Sequence, residues 1–423
     1  MDRYMEMEAA LAPLWRIPSP QPDGIFQHPA FRVLENHCRS QYPSANRGLF
    51  TSFAIWHGLC LLGVPCAQPP DLPTVELADA AMGLVDALEM QRVTRRYIVP
   101  LDLGGDIPHL QFGNAEVKRF PLKDLRILFE ESTIRRLHAG PFGIERLSEF
   151  HWLVVEDTVD VAQHIGARLF AFDVGRDMDA INPHEGRFPE QVMQALFTLL
   201  LQPWEDWHSH REIDWRPFTV PWVHVVTGDI FERTNPIPSP DSLTWEPAFD
   251  PDGNEYERPV ANHFCGDTHA GLAHVDEAYC VKLQAARVGP LFETPIEHFM
   301  LRAFFSTGMD EIIAHITTIE AALGLQSDFT KTGRNRHPRM PPTRRVTRRV
   351  QILLGDDAAG DTYTRLFDMR SEFVHGRQSG GLVSSETRNL ARSLARRVTT
   401  ALLDRSPDLP PGTTREAFLT SLC

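Results

Sequence analysis

An α+β amino-terminal region over residues 1–284, followed by an all-α four-helix-type bundle over residues 285–423, is the architecture the sequence predicts. Three observations carry it. Segments rich in β-branched and aromatic residues alternate with helix-periodic ones only before residue 284, a stretch that also holds all eight tryptophans. After about Gly289, apolar residues recur at three- and four-residue spacing with no strand-like alternation. The charge also changes sign: residues 1–284 carry 23 basic and 41 acidic side chains, a net of −18, and residues 285–423 carry 19 and 15, a net of +4. The chain as a whole is at −14, which argues against a protein built throughout to hold nucleic acid. The asymmetry assigns a polyanion, if one is bound, to the carboxy-terminal part.

In the amino-terminal region the strands expected are Arg96–Leu103, Trp152–Glu156, Ala167–Val174 and Thr219–Phe231, and the helices Val75–Val93, Leu122–Leu137 and Pro189–Trp207. Thr234–Arg258, dense in Pro, Ser, Asp and Gly, reads as a long loop. The region forms either one body or two subdomains divided near residue 140. The apolar runs Ile55–Ala67 and Ala195–Leu201 are too short to span a membrane. The first residues show no basic segment followed by an apolar one, and the six cysteines are scattered without a C-x-x-C pair. Both features predict a cytoplasmic protein with free thiols.

In the carboxy-terminal part, Thr294-Pro295-Ile296-Glu297 has the form of a capping box, and apolar residues from Ile296 to Leu323 predict one long helix ended by Gly324. A second helix is expected from about Thr343 to Gly355, a third capped by Asp361 and ending at Gly376, and a fourth from about Ser384 to Asp404. Helices in this order, with mostly short connections, predict a bundle.

The third helix carries the anomaly. Its apolar residues Tyr363, Leu366, Phe367, Phe373 and Val374 define a face centred near residue 370, which is an arginine. A guanidinium in that position needs acceptors, because an unpaired buried charge is costly. His375 follows five residues later, about 140° round a regular helix. Gly376, a natural terminator, lets it leave the helical path and turn back toward Arg370. A helix carboxyl end favours a cation, and imidazole is the side chain that changes charge near neutral pH.

Arg370-Ser371-Glu372-Phe373-Val374-His375-Gly376 resembles the R-x(4–6)-H signature of HEPN domains, in the R-S-x-x-V-H-G form of the ApeA-like group of bacterial defence proteins. The resemblance covers about residues 290–410. It implies a helical bundle with the motif at the end of the third helix, and a homodimer in which two Arg–His pairs meet across a two-fold axis. It further implies RNA cleavage with no metal or other cofactor, with Arg370 and His375 catalytic. The family usually places Asn, Asp or His directly after the arginine. Ser371 stands there in this chain, and Ser371 and Glu372 are the side chains expected to support the pair. Transfer RNA is the commonest target in the family. A defence or toxin effector, checked by residues 1–284 until a trigger binds there, is the role implied. The alternative is a non-catalytic RNA-binding or dimerisation module in which Arg370 pairs with Glu372 or Asp368 of a second copy and His375 only caps the helix.

Other basic residues invite a polynucleotide reading. Arg388, Arg392 and Arg396 form one stripe on the fourth helix, and Arg334, Arg336 and Arg339 lie in a segment, Lys331–Arg349, with eight basic residues and no acid. Either set is an RNA-tracking surface or a solvated face. A competing constellation is histidine-rich: His263, Cys265, Asp267 and His269, then His274 and Asp276, with His208 and His210 elsewhere. These residue types bind zinc, but their spacing matches no metal motif, so a zinc-dependent hydrolase is the less favoured alternative.

Overall fold

The structure, a computed structural model, describes residues 2–46, 48, 50–170, 180, 182, 185–206, 214–262, 270–329, 340–376 and 382–423. It combines helices and strands, with a helical carboxy-terminal region. Two compact units form, and neither is a continuous stretch of chain. Met1–Leu101, Arg119–Ile181 and Val220–Pro259 make the first; Asp102–Lys118, Asn182–Thr219 and Val260–Cys423 make the second. The bundle expected over 285–423 therefore belongs to a larger unit that starts at 260 and recruits two earlier segments.

In the first unit, helices α1 (Arg3–Trp15), α2 (Pro29–Gln41), α3 (Thr51–Leu61) and α4 (Leu77–Glu89) share one core, in which Leu11, Leu14, Phe31, Leu34, Ile55, Leu59, Leu84 and Leu88 are buried. Sequence periodicity found only α4 among them. α3 is apolar on nearly every side, so it shows no stripe. Strands β1 (Arg92–Leu101), β2 (His151–Asp160) and β3 (His224–Thr227) form an antiparallel ladder with β1 between the other two, Ile98 facing Val154 on one side and His224 on the other. β1 is the continuation of the expected strand at 96–103. The helix expected over 122–137 is shorter, α5 (Leu122–Leu128) followed by one turn at Glu131–Ile134.

Three expectations fail here. The strand at 167–174 is, in its described part, helix α6 (Ile165–Phe170). Ile165 and Leu169 pack into the helical core at four-residue spacing, and the buried Arg168 donates to the carbonyls of Ala87, Met90 and Ala162. Those contacts outweigh the β-type composition of the segment. The strand at 219–231 shrinks to β3, because the Asp229 side chain accepts from the Phe231 N–H and turns the chain away. The loop at 234–258 contains a hairpin, β4 (Trp245–Phe249) with β5 (Glu255–Pro259), turned by Asp250, which accepts from the N–H groups of Asp252 and Asn254. Its second strand is largely exposed, so no alternation announced it.

The second unit holds α7 (Glu190–Leu200), α8 (Glu277–Arg287), α9 (Ile296–Phe305), α10 (Met309–Leu323), α11 (Pro342–Leu354), α12 (Asp357–Val374), α13 (Ser385–Arg405) and α14 (Arg415–Ser421). Ile312, Ile316, Ile319, Val346, Val350, Tyr363, Leu366, Leu394, Val398 and Leu402 interlock in the core of α10–α13. The single helix expected over 296–323 is broken at Gly308, whose φ of +63° suits glycine, into α9 and α10. Thr294 is no N-cap; its hydroxyl donates to Ala321 O. The third helix starts a turn earlier than expected, with Asp356 as the cap accepting from the N–H groups of Ala358 and Ala359. Among the described residues no helix is long and apolar enough to cross a membrane.

One buried group makes the first unit sensitive to pH. His224 lies against Phe129 (ring centroids 5.3 Å apart), and burial, aided by nearby His138, pushes it down to about 4. The unfolded chain binds a proton near 6.5 that the folded chain refuses. The neutral ring's stability contribution is thus complete above 6.5 and is lost as pH falls toward 4, at about 1.4 kcal/mol per pH unit. Urea denaturation at several pH values should show a shallower acid loss for His224→Phe than for wild type. Parallel curves would exclude His224 as the source.

Candidate functional site

On α12 the buried residues Ala359, Gly360, Tyr363 and Leu366 all lie in the first ten residues of the helix. The last turns run past the core, so Phe373 and Val374, expected inside, are 52% and 56% exposed. Arg370 continues the stripe of Tyr363 and Phe367 at the point where it emerges. Its side chain is 31% exposed, its guanidinium carbon lies 5.8 Å from the centre of the Phe367 ring, and its buried Nε has no hydrogen-bond partner among the described residues. It faces the carboxylate of Glu320, near the end of α10, with Nη1 to Oε1 at 3.9 Å, too long for a hydrogen bond.

Arg370 and Glu320 line one cavity of about 430 Å³ with Tyr363, Phe367, Val346 and Thr343. Tyr363 is fully buried as its floor, and burial raises its phenol, as does the Glu320 charge. Burial also raises the Glu320 carboxyl, an effect that Arg370 opposes. The cavity therefore pairs an apolar, aromatic interior with one acid and one base. Glu320 went unnoticed in the sequence. Its signal is a carboxylate four residues beyond Ile316 and seven beyond Ile313, on the edge of the apolar stripe of its helix.

His375 is the C-cap of α12. Its N–H donates to Ser371 O (3.0 Å), Gly376 follows at φ +67°, and the ring is exposed. The left-handed exit at Gly376 is as expected. No hydrogen bond or ion pair among the described residues joins His375 to Arg370. Ser371 is half-buried, and its backbone carbonyl accepts from the His375 N–H; Glu372 is exposed.

The stripe on α13 requires a correction. Arg392 is fully buried and donates to the carbonyls of Leu200 and Gln202, while its guanidinium stacks on Trp215 at 4.7 Å. Arg388 is paired with Glu311 (2.8 Å) and Asp214 (3.2 Å), and Arg396 with Glu205 (2.5 Å). These arginines hold Leu200, Gln202 and Glu205, and then Asp214 and Trp215, to the helices and are neither a solvated face nor a surface for a polynucleotide. His315 is enclosed by the same network, 5.6 Å from Trp215, and burial followed by the neighbouring arginines holds it well below its ordinary value.

Arg334, Arg336 and Arg339 lie outside the described residues, as do His263, Cys265, Asp267, His269, His208 and His210. Asp276 is the N-cap of α8, accepting from Tyr279 N–H, and among the described residues no group of three His, Cys, Asp or Glu is placed to hold a metal ion. The exposed basic residues of α11 are Arg344 and Arg348. A larger cavity of about 730 Å³ lies where α7 begins near the start of α9; of its charged groups, Glu297 pairs with Arg287 at 3.0 Å and Arg187 stacks on Phe188 and Phe305.

No family model, curated protein or solved structure matches the chain significantly. The division of the arginines is directly measurable. Arg392→Ala should lower the urea-denaturation stability by roughly 1.5–3 kcal/mol, through loss of charged hydrogen bonds. Arg344→Ala and Arg348→Ala should stay within about 0.5 kcal/mol of wild type. A neutral Arg392→Ala would contradict the structural role assigned to it.

Proposed function

We propose that the chain is a metal-independent RNA endonuclease of HEPN type, acting through Arg370 and His375. The observation that carries the reading is Arg370: a guanidinium at the end of the third bundle helix, lining a cavity, with a buried Nε that no described group satisfies. An exposed imidazole stands at the end of the same helix. Arg370 would bind the scissile phosphate and stabilise the charge that grows on it, a task suited to a planar fork that is always ionised. His375 would take the proton of a ribose 2′-hydroxyl, or give one to the leaving 5′-oxygen. The 2′-oxygen attacks phosphorus, the bond to the 5′-oxygen breaks, and the products are a 2′,3′-cyclic phosphate and a 5′-hydroxyl. DNA, lacking the nucleophile, would be left whole.

Among the described residues no hydrogen bond or ion pair joins the two side chains within one chain, which suits a site completed by a second copy. Exposed Phe373 and Val374 on the same turn are the apolar surface such a homodimer would cover. A cytoplasmic defence or toxin effector, with RNA such as transfer RNA as target and a trigger acting on the amino-terminal region, is the cellular role that follows.

The test is incubation of the full chain with total RNA in the presence of chelator, with mapping of the ends. Wild type should cut with chelator present. His375→Ala should cut about 10²–10⁴-fold more slowly, and Arg370→Ala about 10²–10³-fold, with unchanged circular dichroism. RNA bound without turnover by wild type would replace the nuclease with the non-catalytic module. Activity lost to chelator would favour a metal-dependent hydrolase.

A further inference from the structure

The cavity beside Arg370 has a composition that a phosphate clamp alone does not need. An anion site requires donors and solvent, whereas this one is a mostly apolar recess of about 430 Å³, lined by Tyr363, Phe367 and Val346 with Thr343 and Gln326 beside them, and with the Glu320 carboxylate facing it. A carboxylate repels phosphate. Glu320 therefore calls for a ligand part that is flat, apolar on its faces and rich in N–H groups along one edge. A nucleobase has that description, and unpaired bases in RNA are held by aromatic contact and by hydrogen bonds to their edges. The volume lies within the range of small-molecule sites, roughly 300–1,000 Å³.

The order of the polar groups selects among the bases. Arg370 Nη1 and Glu320 Oε1 stand side by side at 3.9 Å. A guanidinium only donates and an ionised carboxylate only accepts. The matching edge must present an acceptor next to two donors. Guanine does so, with O6 beside N1–H and N2–H₂, and the two donors can meet the carboxylate together. Adenine and cytosine set an acceptor (N1 or N3) beside a single amino group, so each meets the carboxylate through one donor and not two. Uracil has one donor between two acceptors.

We infer that this cavity binds guanine, with Glu320 accepting from N1–H and N2–H₂ and Arg370 Nη1 donating to O6. The remaining N–H groups of Arg370 stay available to a phosphate, so that one arginine ties base choice to the position of the phosphate. Glu320 is then a specificity-determining residue. This rests on the nuclease reading only for its consequence, a preference for guanosine at the cut site; base binding itself is measurable without cleavage.

The experiment is calorimetric titration of the full chain with 5′-GMP, 5′-AMP, 5′-UMP, 5′-CMP and inorganic phosphate. 5′-GMP should bind at least tenfold more tightly than the other four. Glu320→Gln, whose amide offers one acceptor and one donor, should lower the ratio of GMP to AMP affinity at least tenfold. Phe367→Leu should weaken all nucleotides together, and circular dichroism should show both variants folded. Equal binding of the four nucleotides, binding of phosphate as tight as GMP, or an unchanged ratio in Glu320→Gln overturns the inference. Guanine preference in a protein that cuts no RNA would leave the pocket standing and remove the nuclease. Cleavage without guanine preference in binding or at the cut site would do the reverse.

Discussion

The second unit is organised around a carboxylate that has no access to solvent. Glu311, on α10, accepts from the indole N–H of Trp215 (2.7 Å), from Arg216 (3.2 Å) and from Arg388 (2.8 Å). A charge removed from water at that depth persists only if its lone pairs are met, and the three donors meet them from two stretches of chain far apart in sequence. The consequence reaches past Glu311. Trp215 is fixed between the guanidinium groups of Arg216 and Arg392, at 4.9 and 4.7 Å. Arg216 in turn donates to the carbonyls at the end of α9, Ala303 and Phe304. One acid thereby sets the position of the 214–218 segment, the end of α9 and the inner face of α13.

This constraint decides which cations are free for function. A net charge of +4 over residues 285–423 suggests a basic surface, but much of that charge is engaged inside. Arg349 is fully buried against Asp328 and the carbonyls of Leu323 and Leu419; Arg415 closes the carbonyls of Ala321 and Ala322; Arg388, Arg392 and Arg396 serve the network just described. What solvent meets on the described helices near the candidate cavity is a smaller set, Arg344 and Arg348 on α11 and Arg365 on α12, with Arg370 at its rim. Composition counts both kinds alike, so charge balance overstates the polyanion surface of this unit.

What could be read in the sequence follows from the range of the interactions involved. Helix ends at Gly324, Gly355 and Gly376, and the inward residues Leu394, Val398 and Leu402, depend on neighbours within a turn or two, and the structure agrees with those readings. The fate of Arg392 depends on Leu200, Gln202 and Glu205, almost two hundred residues earlier, and a four-residue repeat of arginine looks the same whether its partner is water or a buried carboxylate. The same limit hid α6, whose strand-like composition is overruled by contacts of Arg168 with Ala87 and Met90. It also hid Glu320, which becomes notable only when α12 lays Arg370 beside it. Arg370 itself was legible because it breaks a local rule, a cation on the axis of an apolar stripe.

Arg349 and Arg370 show how the same side chain can be fully engaged in one place and only partly engaged in another. Arg349 has each nitrogen of its fork at hydrogen-bond distance from an acceptor, so displacing any partner would cost more than a new ligand could return. Arg370 has a carboxylate at 3.9 Å, an aromatic ring, and a buried Nε with no described group to donate to. A partly exposed pair at that separation contributes little to stability. An incoming acceptor at the shorter distance of a charge-assisted bond, about 2.7–2.9 Å, gains what the folded chain left unmade. The local arrangement is therefore poorly satisfied by the described residues alone, and the helices that enforce it are held by contacts elsewhere, above all those of Tyr363 and Leu366 in the core. That division of tasks, with stability supplied by one half of α12 and a cation only partly paired among the described residues presented by the other, is the physical basis on which a binding site at Arg370 would rest.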